Sequence, residues 1–141
     1  MSTINKNDSN NGKINLSVKI MVVDDDFDIA TLVKITLQKN GFEDVFVFTK
    51  PSLALAHFKI DYKNYSLVIC DIRMPEMNGF EFARYISQIK PGIKVILMTA
   101  YDIKEDTFVA MNMKYNNISE VIQKPVSSSK LANMIIAQIN K

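Results

Sequence analysis

Asp24, Asp25 and Asp26 follow directly on an apolar run, Lys19-Ile20-Met21-Val22-Val23, and Asp71 follows another, Tyr65 to Cys70. Thr99 closes the run Lys94 to Met98, while Lys124, followed by Pro125, stands just past Ile118 to Ile122. Carboxylates that converge repel one another, and the cluster is costly unless a cation neutralises it. An all-oxygen site of one or two carboxylates with waters suits Mg²⁺, which also bridges to phosphate oxygens. A lysine ammonium adds a point charge for an anion, and a threonine hydroxyl adds a hydrogen-bond donor. Together these side chains suit a phosphoryl group carried on a carboxylate.

They act together only if the chain brings the ends of those runs to one place. Short β-branched runs alternate with longer stretches of helical period. The runs Lys19–Val23, Val45–Phe48, Tyr65–Cys70, Lys94–Met98 and Ile118–Ile122 are predicted strands. After the first, Ile29, Leu32, Val33, Ile35 and Leu37 recur at helical spacing until Asn40-Gly41 stops the helix. Thr49-Lys50-Pro51-Ser52 opens a second helix with Leu53, Leu55, Ala56 and Phe58, and Gly79 to Lys90 forms a third, closed by Pro91-Gly92. A fourth helix over about Ile103 to Met113 has a ragged apolar stripe. The last, Ser127 to Asn140, places Leu131, Met134, Ile135 and Ile139 on one face.

Strands apolar on both faces, each followed by a helix, argue for a parallel sheet covered on both sides. The predicted fold is α/β, a doubly wound, flavodoxin-like five-stranded parallel sheet of order 2-1-3-4-5. A closed eight-unit barrel needs about twice the length. In that order the first and third strands are neighbours at the switch point, where open α/β sheets bind ligands. The two acidic stretches then face each other.

The chain has 141 residues, 48% hydrophobic and 23% charged, which is one globular domain rather than a disordered or fibrous chain. Residues 1–17, rich in Asn, Ser and Lys, read as a mobile polar tail, and 18–141 as the domain. No apolar run approaches the ~20 residues of a membrane span, and the first residues lack a secretory signal, so a cytoplasmic location is expected. A net charge of +2 from scattered basic residues argues against nucleic-acid binding. The single cysteine, Cys70, reads as an inert buried hydrophobe, and the single histidine, His57, as a surface residue without a partner.

Val-Val-Asp-Asp-Asp at 22–26, Asp-Ile-Arg-Met-Pro-Glu-Met-Asn-Gly at 71–79, Met-Thr-Ala at 98–100 and Lys-Pro at 124–125 stand in order at strand ends. With them the sequence resembles the receiver domain of two-component response regulators over essentially all of 18–141. The resemblance implies that Asp71 is the phosphoacceptor, that Asp25 binds Mg²⁺ directly and Asp24 mainly through water, and that the Arg73 backbone carbonyl completes the protein ligands. It also implies that Thr99 and Lys124 contact the phosphoryl oxygens and that Lys124-Pro125 is a cis peptide. Asp26, one place further on, is expected near the helix rather than in the ligand set.

The function so implied is a single-domain switch. Asp71 takes a phosphoryl group from a histidine kinase or phosphotransfer protein, and self-catalysed hydrolysis resets it without enzymatic turnover. No length remains for an output domain, so output is expected through an unidentified protein, or a second copy, on the face of the fourth helix, fifth strand and fifth helix. Ala132 and Ile136 are expected to add exposed apolar area there. Read singly, the same residues are plainer: Asp24 to Asp26 as a helix cap, Lys124 as a solvated lysine, Thr99 as a strand former. Val121 stands where the family usually has an aromatic switch residue, and Tyr115-Asn116-Asn117 stands where it has a Gly-Ala pair. These departures keep open a receiver fold that works as an interaction module without phosphorylation. A phosphohydrolase is disfavoured because Arg73 occupies the position of its general acid.

Overall fold

A computed structural model describes residues 18–102, 107–113 and 118–140. The strands are β1 (Lys19–Val23), β2 (Asp44–Phe48), β3 (Tyr65–Asp71), β4 (Lys94–Thr99) and β5 (Glu120–Gln123). The helices are α1 (Phe27–Lys39), α2 (Pro51–Asp61), α3 (Gly79–Ile89), α4 (Thr107–Met113) and α5 (Ser128–Ile139), with a 3-10 turn at Tyr62–Asn64. All pairings are parallel, in the order β2-β1-β3-β4-β5. The fold is the doubly wound sheet read from the sequence. Among the described residues no helix is long and apolar enough to cross a membrane. The expected tail at 1–17, the start of the fourth helix at 103–106 and Tyr115-Asn116-Asn117 lie outside the described residues.

The inner strands β1, β3 and β4 are apolar on both faces because both are buried, whereas the edge strands β2 and β5 are partly exposed. Met21, Val23, Val68, Cys70, Val95 and Leu97 join Phe58 of α2 and Phe82 and Ile86 of α3 in one core. Their alternates Ile20, Val22, Leu67, Ile69, Ile96 and Met98 join Val33 and Leu37 of α1 and Leu131 and Ile135 of α5 in the other. The two-residue period of a strand divides the cores.

Helix ends follow local chemistry. Asp26 caps α1, its carboxylate accepting from the Asp28 and Ile29 amides at 3.0 and 3.2 Å, and Gly41 (φ 96°) follows the C-terminus. Asn78 and Glu81 form a reciprocal capping box on α3 at 2.9 Å each way. The Ser127 hydroxyl accepts from the Lys130 amide at the start of α5.

Several expectations need correction. On α1 the buried face is Ala30, Val33 and Leu37, an i, i+3, i+7 stripe, while Leu32 is 60% exposed and Ile35 42%. On α2, Leu53 is likewise exposed, and Ala54, not Ala56, is buried beside Phe58. On α5, Ala132 is buried and adds no apolar surface, while Ile136 is half-buried against the second core. β5 runs two residues later at its start than expected. Finally, His57 is well partnered: its Nε2 lies 2.8 Å from the Tyr65 hydroxyl and 3.8 Å from Asp61, and its ring centroid is 5.1 Å from that of Phe48.

Candidate functional site

The parallel registers bring the strand ends level. Val23 pairs with Cys70, Asp71 with Met98, and Thr99 with Gln123, so the residues just beyond form one rim. The Asp24 amide continues the ladder by donating to the Phe48 carbonyl at 3.1 Å, and the Lys124 amide donates to the Thr99 carbonyl at 2.6 Å. Lys124-Pro125 is cis. Gly79 closes the rim from below: a Cβ there would stand 2.5 Å from the Asp71 carbonyl oxygen, so only glycine permits this approach.

Asp24, Asp25 and Asp71 each offer a carboxylate oxygen, all within 4.8 Å of one another. The Lys124 ammonium lies 3.0 Å from Asp71 Oδ1 and 3.3 Å from Asp24 Oδ2. The other oxygen of Asp24 accepts from the Asp26 amide at 3.0 Å. Asp24 is therefore committed on both oxygens, whereas Asp25 is exposed. The sequence-stated set of Asp24, Asp25, Asp71 and Lys124 is thus brought together. Thr99 is buried at the end of β4, its hydroxyl accepting from the Tyr101 amide at 3.1 Å. Asp26 stands apart as the α1 cap.

Burial pushes the Asp71 and Asp24 carboxyls above the usual range, and the bond from Lys124 and, at Asp24, first the bond from the Asp26 amide only partly oppose it. For Lys124 burial works against the charge, but the bonds and charges of Asp71 and Asp24 prevail and raise its pKa. The lysine is charged. Among the described residues one lysine is paired with this three-carboxylate cluster, which leaves a surplus of negative charge in a half-buried place, and an all-oxygen donor set of this kind fits a hard divalent cation such as Mg²⁺.

At the rim the Arg73 guanidinium stacks on the Tyr101 ring, 4.5 Å from its centroid. Tyr101 lies two places past Thr99 and Arg73 two places past Asp71, so their pairing follows from the neighbouring strands β3 and β4. Beside Lys124 and Asp26 opens an apolar groove of about 590 Å³, walled by Ile29, Leu32 and Val33 of α1 and by Pro125, Val126 and Leu131. Cys70 is fully buried, and burial pushes its thiol well up, consistent with an inert side chain.

This sheet order and this rim define a receiver domain. Residues 20–136 match the response regulator receiver domain, and the chain belongs to that family. It is 34% identical over 114 residues to the transcriptional regulatory protein ZraR of Klebsiella oxytoca, covering 81% of this chain but only 24% of that protein. The chain thus spans about a quarter of the length of that relative. The response regulator receiver protein CpdR of Brucella abortus is 29% identical over 119 residues, covering 83% of this chain and 92% of its own. A response regulator receiver domain protein from Clostridium thermocellum superposes with a TM-score of 0.76 at 28% identity, covering 87% and 94% of the two chains.

Proposed function

We propose that the protein is a phosphorylation switch in which Asp71 accepts the phosphoryl group, with Asp25, Asp71, the Arg73 carbonyl and, through water, Asp24 holding Mg²⁺. The carrying observation is Lys124 at 3.0 Å from Asp71 inside a carboxylate cluster with surplus negative charge. Bound Mg²⁺ would supply positive charge against the phosphoryl oxygens. An Asp71 oxygen attacks the phosphorus of a phosphohistidine on a sensor kinase or phosphotransfer protein. The P–N bond breaks, the imidazole leaves with the electron pair, and an acyl phosphate remains on Asp71. Lys124 and the Thr99 hydroxyl, turned from its Tyr101 amide bond, hold the new oxygens. Hydrolysis to phosphate restores the carboxylate, so the chain is a switch rather than a turnover enzyme.

The groove beside Lys124 offers the donor protein an apolar footing, which gives the exposed Leu32 a use. Val121 packs against the first core and puts no ring there, so readout falls to Thr99 and the loop carrying Tyr101, towards an output partner or second copy on the α4–β5–α5 face. A cytoplasmic setting suits such a donor. The reading is tested by intact mass after exposure to a small acyl phosphate and Mg²⁺. Wild type gains one phosphoryl group and Asp71→Asn gains none; equal labelling of both overturns the assignment, and no labelling of either favours the phosphorylation-independent module.

A further inference from the structure

The loop between β3 and α3 carries Arg73 and is pinned at both ends. The Ile72 amide donates to the Met98 carbonyl at 2.9 Å, and the Gly79 amide donates to the Ile72 carbonyl at 2.7 Å. Between these anchors Met77 donates to the Pro75 carbonyl at 2.9 Å, and Glu76 takes a φ of 77°. That γ-turn is strained for a residue with a Cβ and persists only where surrounding contacts hold it.

The contact is on another element. Glu76 Oε1 accepts from the Ser52 amide, in the first turn of α2, at 3.4 Å. That helix has no cap of its own: Lys50 at its N-cap makes no side-chain bond, Pro51 has no N–H, and its first turn contains no acidic residue. An orphan donor and the positive end of the helix dipole are thus met by a carboxylate from the β3–α3 loop.

We propose that Glu76 is a positioning residue for the metal site. By docking the loop tip on the N-terminus of α2 it sets where the Arg73 carbonyl stands, and its strained backbone is the cost of that placement. The inference rests on the Mg²⁺ reading given above. It predicts a separation that a purely structural residue would not show. Glycine at this position relieves the φ strain while cutting the tether, so stability and metal affinity part company.

Calorimetric Mg²⁺ titration and thermal unfolding of wild type, Glu76→Gly and Glu76→Gln test it. Glu76→Gly should bind Mg²⁺ about tenfold more weakly, the lower end of what outer-shell partners contribute, without a fall in its metal-free melting temperature. Glu76→Gln, which keeps the acceptor oxygen, should restore wild-type affinity. Unchanged affinity in Glu76→Gly, a lowered melting temperature with affinity intact, or a Gln variant as weak as the Gly variant each overturns the positioning role alone. A wild type that binds no Mg²⁺ removes the metal reading and this role with it.

Discussion

β1 carries Lys19 and its partners at one end and an acidic cluster at the other, and the two differ in how their charges balance. At its start Lys19 pairs with Asp61, covers the rings of Phe46 and Tyr65 at 4.5 and 4.9 Å, and leaves His57 to bond Tyr65. The bond from Lys19 holds the Asp61 carboxyl below its usual range. At its end Lys124 pairs with two of three carboxylates, Asp24 and Asp71, and burial holds both of those above theirs. A cluster that satisfies itself shapes the fold, whereas one left with surplus charge in a half-buried rim is poised for a ligand.

The largest effect that separates the two ends should come from Asp25→Ala, which removes an exposed, uncommitted carboxylate. Mg²⁺ affinity should fall by more than about tenfold, and less in Asp24→Ala, as read by calorimetry. Equal binding by wild type and Asp25→Ala would break the comparison. Next in size, Tyr101→Ala removes the ring on which Arg73 stacks and opens the rim to water. The lifetime of the phosphoryl group, followed by intact mass, should shorten several-fold.

A smaller effect concerns the metal-free protein. Asp24→Asn keeps the acceptor for the Asp26 amide but removes a buried charge, so it should stabilise the apo fold by on the order of 1 kcal/mol after solvent screening. The same logic fixes the sign with pH. Folding raises the Asp24 and Asp71 carboxyls, so their ionised forms cost stability above the raised values, and that cost is relieved as pH falls through them. Mg²⁺ affinity should drop over the same interval, because protons compete for the ligands. The Asp61 end runs the other way: its lowered carboxyl favours the fold above the unfolded value and loses that contribution as pH falls through the lowered one. Smallest of all, Asp61→Asn should leave Mg²⁺ affinity unchanged, since this end holds no surplus charge.

Strand identity, sheet order and the acidic, threonine and lysine set were legible because each sits where an apolar run stops and the runs are spaced by single helices. What escaped the sequence depends on non-local partners. His57 looked solitary because Tyr65, Asp61 and Phe48 reach it from β3, its own helix and β2. Leu32 and Ile35 share the helical spacing of the core face, yet small Ala30 is the residue that meets the sheet. Helices with apolar residues on more than one side do not declare which side is buried. Glu76 gave one faint signal, an α2 start with Lys50 and Pro51 and no capping side chain, which requires an acceptor from elsewhere.

The surplus-charge end of β1 is proposed to present Asp71 as the phosphoryl acceptor. An acyl phosphate is reduced by borohydride to an alcohol, so peptide mapping after phosphorylation and reduction reads the acceptor directly. Homoserine is expected at position 71 in wild type, dependent on Mg²⁺, with Asp24, Asp25 and His57 unmodified. Reduction at Asp24 or Asp25, or a phosphoryl group found on His57, would contradict it.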